Sequence, residues 1–320
     1  MNEEDRLGQD DAVTGSRPAA PDSAPAADRA GRRPGPPVIA ALVAVVAVLV
    51  GLVVILSSTT RERPSVSAPA RTRAGAVALV DSATIAPRPV SADQLAALPI
   101  ATTFGTTANA SRDPAPDQVP SGLVAHPTTT VAVFAEPGGE PVAAVPAGQP
   151  IGLAPRQSLS DTWLPVFDQR PGWALVGLPS RPNGSVAWLH IDRSIQLRVS
   201  PFLVTVDRAG FTLTLARDGA RVGQWPVGTG KTGSPTPAGR TFLLAALRDT
   251  ESTFSEFVLP LGAHSDTHQI YGGGPGTIGV HTWPSAAVYG EASSDGCVRV
   301  PPDALRILVG VPLGTPVLIK

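Results

Sequence analysis

TIGVHTW at residues 277–283 and SSDGCVRV at residues 293–300 decide the reading of this 320-residue chain. The first is a short β-type run that ends on His281, at the point where a strand meets a loop and a functional side chain is readily presented. In the second, Gly296 precedes Cys297 in a stretch of small and polar residues. Glycine permits backbone conformations and close approaches that other residues forbid. The amides of Gly296 and Cys297 are therefore expected to converge on a developing oxyanion. If 297–299 is extended, Cys297 and Arg299 share a face by the period of two. The guanidinium then favours the thiolate, the nucleophilic form.

Cys297 is the sole cysteine of the chain. One thiol excludes an intramolecular disulfide, cysteine-based structural zinc sites and iron–sulfur clusters. A nucleophilic thiol needs a base, and there are five histidines. His126 falls to the linker side and His190 to an apolar strand of an upstream β unit. His264 and His268 are four apart, but Gly262–Gly274 has no helical apolar period and no carboxylate–cysteine set to complete a metal site. Elimination leaves a Cys297–His281 dyad, although sequence distance alone does not establish contact.

Outward from these runs the pattern stays β. FLVTVD (202–207) and FTLTLA (211–216) alternate across a short turn, and Asp218-Gly219 supplies a hairpin turn before RVGQWPVG. TPAG (236–239) is a tight turn into TFLLAAL. One helix is expected after Pro302, with Asp303 in its first turn and Leu305, Leu308 and Val309 as its apolar face. Upstream, VAVF (131–134), VAAV (142–145), WLPVF (163–167), WALVGL (173–178) and SVAWLHI (185–191) are bounded by turn residues such as EPGGEP and RPNGS. Short strands at such spacing read as a small barrel or sandwich, with Trp163, Trp173 and Trp188 as core.

Residues 1–36 carry no apolar period and read as a disordered tail. Val38–Leu56 is an uninterrupted apolar run, which at 1.5 Å per residue nearly matches a hydrocarbon core of about 30 Å. Its length, and the lack of a nearby small-residue cleavage site, favour an uncleaved signal anchor over a removed signal peptide. Arginines flank both sides, so charge does not set the orientation. Residues 58–118 read as linker, with SADQLAAL (91–98) forming a short helix capped by Ser91. The net charge of −1 and scattered basic residues give no footprint for nucleic acid. With 32 glycines and 35 prolines the chain suits turn-rich β domains rather than helix bundles.

Residues about 197–320 resemble the catalytic domain of the L,D-transpeptidases of bacterial cell walls. The family pattern is a His followed by Gly or Ser, a spacer, then Ser/Thr-His-Gly-Cys-hydrophobic-Arg/Asn. This chain has His281-Thr282, a step of sixteen positions, and Ser294-Asp295-Gly296-Cys297-Val298-Arg299. Gly228–Gly230 with Lys231, Thr236–Gly239, and Ala263–Ser265 with Tyr271–Gly274 are further landmarks. The upstream β unit (119–196) resembles a bacterial Src-homology-3-like barrel, through its strand spacing and RPNGSVAW run. The order tail (1–36), anchor (37–57), linker (58–118), barrel and catalytic domain (197–320) is similar to exported actinobacterial members. The expected fold class is all-β with one short catalytic-domain helix.

The resemblance implies acyl transfer on peptidoglycan stem peptides, outside the membrane and with no metal or organic cofactor. Cys297 is the implied nucleophile, His281 the base and acid, Gly296 the oxyanion donor, and Thr282 the residue orienting His281. Arg299, Tyr271 and Ser294 are the implied substrate contacts. Two positions depart from the pattern. Asp295 stands for the second histidine, and a carboxylate there opposes thiolate formation if it points inward. Thr282 stands for Gly or Ser. Hydrolysis on the same dyad, and a wall-binding protein with a weakened site, remain open alternatives.

Overall fold

Strand-forming runs follow one another along the chain with little helix between them. The computed structural model describes residues 84–152, 157–248, 254–271 and 274–320. The predicted tail (1–36), the anchor (37–57) and the first part of the linker lie outside the described residues. Among the described residues, no helix is long and apolar enough to cross a membrane.

The N-terminal strands are β1 (Ser111–Arg112), β2 (Leu123–Pro127), β3 (Val131–Phe134), β4 (Pro141–Val145), β5 (Gly148–Ile151) and β6 (Ser158–Asp161). They continue as β7 (Leu164–Arg170), β8 (Trp173–Gly177), β9 (Ser185–His190) and β10 (Ile195–Val199). One antiparallel sheet runs in the order β10-β2-β7-β8-β9-β3-β4, with β1 also on β9 and β5–β6 a separate hairpin. Every β run singled out in this part of the sequence is a strand. Alternation alone does not explain them, because β8 and β9 are buried almost throughout. Trp173 and Trp188 are core, packed with Phe134, Leu175 and Val186. Trp163 is only partly buried, stacked on His126 at 4.8 Å and covered by the Arg198 guanidinium at 3.6 Å. His126 belongs to β2 rather than to a linker, with Nδ1 2.7 Å from the Thr162 carbonyl.

The segment 84–118, expected as linker, is instead packed. Helix α1 (Ala92–Ala97) begins at Ser91 as anticipated, with a reciprocal capping box between Ser91 and Gln94. Beyond it, Ala101 and Ala144 are joined by backbone hydrogen bonding, and the Trp173 indole donates to the Ile85 carbonyl at 2.7 Å. Asp113 forms a buried, two-pronged ion pair with Arg240 of the following domain. Few large apolar residues lie in this segment, so it is held by hydrogen bonding and by a buried charge pair that composition does not reveal.

The C-terminal strands are β11 (Phe202–Asp207), β12 (Thr212–Arg217), β13 (Ala220–Pro226), β14 (Thr229–Gly230), β15 (Gly239–Phe242) and β16 (Leu247–Arg248). They are followed by β17 (Phe257–His264), β18 (Thr277–His281), β19 (Ala292–Ser294), β20 (Val298–Arg299) and β21 (Pro316–Ile319). Asp218 and Gly219 both take positive φ, 50° and 78°, as the expected two-residue hairpin turn requires. The sheets run β13-β12-β11-β21-β15 and β16-β17-β18-β20, with β14 paired to β19. Helix α2 (Pro302–Leu308) places Pro302 in its first turn and buries Ala304, Leu305 and Leu308. These residues share one core with Val204, Leu215, Leu261, Ile278, Val280 and Val298. Truncating such a leucine to alanine costs about 2–5 kcal/mol. The core directly supports the strand pair that carries His281 and Cys297.

Candidate active site

Strands β18 and β20 run parallel, with Val280 opposite Val298 and His281 opposite Arg299. Continuing that register one residue back sets Cys297 against Gly279. The Gly279 N–H donates to the Cys297 Sγ at 3.4 Å. Residues opposite one another in a parallel pair point to the same face, and the period is two. His281 and Cys297 therefore lie on one face, diagonal to each other. Both line a cavity of about 200 Å³, together with Phe254, His268, Tyr271, Trp283, Asp295 and Arg299. A Cβ on Gly279 would come 3.1 Å from Val258 and 3.9 Å from the sulfur, so a glycine opposite the thiol keeps the amide close to it. Sequence reading missed this residue; its signal was an isolated glycine inside a strand, a mark of close approach.

The imidazole is fixed by its neighbours. His281 Nδ1 lies 2.7 Å from the Thr282 carbonyl. A carbonyl can only accept, so Nδ1 carries the hydrogen and Nε2 keeps a lone pair. Thr282 thus orients the ring through its backbone, while its hydroxyl donates to the Phe254 carbonyl at 2.8 Å. Phe254 meets the ring edge-on at 5.2 Å, and Trp283 is 6.2 Å away. Burial lowers the His281 pKa from its ordinary 6.5; the hydrogen bond to Thr282 opposes that shift, and the Arg299 charge adds to it. Burial also pushes the Cys297 thiol up. The Gly279 N–H and Arg299 pull it back, and Asp295 adds to the rise. Arg299 favours the thiolate, as expected, but desolvation outweighs it and leaves the thiol pKa above its ordinary value.

The turn that carries Cys297 is held from beneath. Gly296 has φ 118°, and a Cβ there would meet Ile278 at 2.8 Å, which only glycine avoids. Its N–H, expected in an oxyanion hole, donates instead to Ser294 Oγ at 3.1 Å. Ser294 Oγ donates in turn to the Cys297 carbonyl at 2.6 Å. Ser294 is buried at the wall of the same cavity, and its hydroxyl braces the turn. Among the described residues, the Cys297 N–H has no acceptor. The landmark loop after β14 completes the cradle. Thr236 Oγ1 donates to the Gly296 carbonyl and accepts from the Gly230 N–H, while Ser234 Oγ donates to the Asp295 carbonyl.

Asp295 lies at the rim, with its carboxylate 2.6 Å from Lys231 Nζ and 3.4 Å from the Tyr271 hydroxyl. Lys231, foremost by its hydrogen bond, holds the Asp295 carboxyl below the usual range. Tyr271 is more than half exposed and packs edge-on against His268 at 5.6 Å. Arg299 stacks on the Trp283 ring at 4.0 Å, and Nη1 donates to Ser293 Oγ. Its Nε has no partner among the described residues.

The other histidines separate. His190 packs on Trp173. His264 is fully buried against the Thr103 carbonyl, whereas His268 faces the Cys297 cavity with Nδ1 near the hydroxyls of Thr267 and Ser234. His268 is thus a rim residue that sequence elimination set aside. Among the described residues, no group of three His, Cys, Asp or Glu side chains is arranged to hold a metal.

Residues 201–319 match the YkuD family, the L,D-transpeptidase catalytic domain. That stretch is well under half of the chain and begins at β11. Among solved structures, an L,D-transpeptidase from Mycobacterium smegmatis is similar at 20% identity and a TM-score of 0.34, covering 49% of this chain and 82% of that one. L,D-transpeptidase 3 from Mycobacterium tuberculosis, solved with a faropenem-derived adduct, gives 17% identity and a TM-score of 0.32 over 43% of this chain and 74% of that one. The catalytic domain of the E. faecium L,D-transpeptidase gives 22% and 0.30, over 38% of this chain and 99% of that one. No curated protein matches in sequence.

Proposed function

We propose that this protein is a cysteine L,D-transpeptidase acting on peptidoglycan stem peptides. The observation that supports the reading is that Cys297 and His281 line one cavity where β18 meets β20, with Thr282 holding the imidazole so that Nε2 is free to take a proton. His281 removes the thiol proton as Cys297 attacks the carbonyl between the third residue and the terminal D-alanine. The sulfur–carbon bond forms, the carbon–nitrogen bond breaks, and D-alanine leaves with the proton returned by His281. The amine of a neighbouring stem then takes the acyl group and the thiolate recovers its proton. In this reading the Cys297 N–H supplies the oxyanion contact, in place of the occupied Gly296 N–H.

A neutral resting pair suits a buried site, because charge then develops only when substrate brings partners for it. Arg299 and Tyr271 are the proposed substrate contacts at the mouth. The apolar run 38–56 is proposed as a single membrane anchor placing the catalytic domain on the wall side, with residues 119–196 as an Src-homology-3-like unit between them.

The test is intact-mass measurement of the full chain after incubation with a tetrapeptide donor or a carbapenem. A covalent adduct that disappears in Cys297→Ala supports the reading; wild-type protein that stays unmodified by both overturns it. Adding an amine acceptor then distinguishes transfer, read as a cross-linked dimer, from hydrolysis, read as free tripeptide.

A further inference from the structure

We infer that Arg181, a residue of the N-terminal sheet's β8–β9 turn, is a positioning residue for the active site, clamping the segment that carries His268 and Tyr271. The inference rests on Cys297 being the nucleophile of the cavity that those two residues line.

Arg181 donates to three carbonyls of the catalytic domain. Nη1 reaches Ser265 at 3.1 Å, and Nη2 reaches His268 at 3.3 Å and Pro275 at 2.9 Å. These acceptors lie before, beside and after the rim residues, so one planar fork ties both ends of the segment together. The neighbouring Asn183 adds a strand-like contact. Its amide accepts from the His264 N–H at 2.8 Å and donates to the His264 carbonyl at 2.7 Å. The clamp is itself anchored: the Arg181 N–H donates to the Gly105 carbonyl, and the Arg181 carbonyl accepts from the Thr107 N–H. Gly276 closes the segment tightly, at φ 67°, where a Cβ would lie 2.0 Å from the His268 carbonyl and 3.2 Å from Arg181 Nη2.

A guanidinium that serves three carbonyls is not a surface ion pair. Among the described residues no backbone N–H donates to those carbonyls, so without Arg181 they must find water and the segment loses its shape. His268 and Tyr271 would then leave the cavity wall, while β18, β20 and the Cys297–His281 pair keep their own core. The N-terminal sheet thus contributes to donor binding without touching the substrate.

The experiment uses the full chain with Arg181→Ala and with Arg181→Lys, which keeps the charge but not the fork. Hydrogen exchange over 264–271 is read beside donor-dependent acylation of Cys297. The clamp predicts faster exchange in this segment but not in β18. It also predicts a donor concentration for half-maximal acylation raised about ten- to a hundredfold, with the limiting rate little changed. Added guanidinium ion restores Arg181→Ala in part, and Arg181→Lys falls between wild type and Arg181→Ala. Unchanged exchange in both variants overturns the clamp. Faster exchange with unaltered donor dependence overturns its role at the site. Wild-type protein that is never acylated, yet shows the Arg181-dependent exchange, supports the clamp and overturns the transpeptidase reading instead.

Discussion

The carboxylate of Asp295, two residues before Cys297, is held by the ammonium of Lys231 at 2.6 Å. The residue that departs most from the family pattern therefore has a partner of its own. It also accepts a long hydrogen bond from Tyr271, which connects the turn of Cys297 to the rim of the cavity.

Both partners of that pair are partly exposed, so its worth to global stability is small. Its effect is expected on the thiol. Asp295→Asn removes the charge that adds to the rise of the Cys297 pKa, whereas Lys231→Ala leaves that charge uncompensated. Alkylation of Cys297 by iodoacetamide at pH 8 is expected to be faster than wild type in the first variant and slower in the second. Equal rates in all three proteins would show that Asp295 has no electrostatic hold on the thiol.

A neutral resting pair has its own pH signature. His281 is held below its ordinary 6.5 and Cys297 above its ordinary 9.0, both chiefly by burial. Donor acylation should then hold its rate to lower pH than an imidazole of ordinary pKa would allow. Without substrate, alkylation should still be climbing with pH at 9 rather than levelling off below it. Rapid alkylation at pH 6 would reveal a resting thiolate–imidazolium pair and refute this assignment.

His264 makes the fold acid-sensitive. Burial lowers its pKa to about 4, with the hydrogen bond to Thr103 opposing the shift, Arg181 adding to it and Asp266 opposing it. The unfolded chain takes up this proton near pH 6.5 and the folded one only near pH 4, so the unfolded state binds more protons in between. Stability from this group is therefore complete above about pH 6.5 and falls by about 3 kcal/mol as pH is lowered through 4. Denaturant unfolding at pH 7 and pH 4.5 measures the loss. His264→Gln, which retains a donor for Thr103 but does not titrate, should flatten the difference; an unchanged difference assigns the acid sensitivity elsewhere.

The Asp113–Arg240 pair should be essential to the fold. Both side chains are nearly inaccessible, at 4% and 3%, and Arg240 also lies over the Phe167 ring at 3.9 Å. Asp113→Ala leaves a guanidinium buried without its partner, at an expected cost of about 3–5 kcal/mol in denaturant unfolding. Asp113→Ala combined with Arg240→Met should recover part of that loss. If Asp113→Ala is neutral, segment 84–118 does not depend on this anchor.

The sequence by itself determined the local features. Period-two and Val/Trp-rich runs marked β3, β4, β7, β8, β9, β11 and β12, Asp218-Gly219 marked its turn, Ser91 its cap and Pro302 its helix, because each depends on neighbours within a few residues. Cys297 and His281 stood out in the sequence for a related reason: both lie in short motifs at a strand terminus beside a glycine, and the structure sets them in one cavity wall. The tertiary structure alone decided what lies between distant segments. It showed Asp113 reaching Arg240, Arg181 reaching the carbonyls beside His268, and Ser294 occupying the Gly296 amide. It also settled the contest at Cys297, where burial raises the pKa more than Arg299 lowers it. Desolvation and long-range hydrogen bonding depend on what packs around a group in three dimensions, and no local pattern along the chain encodes that.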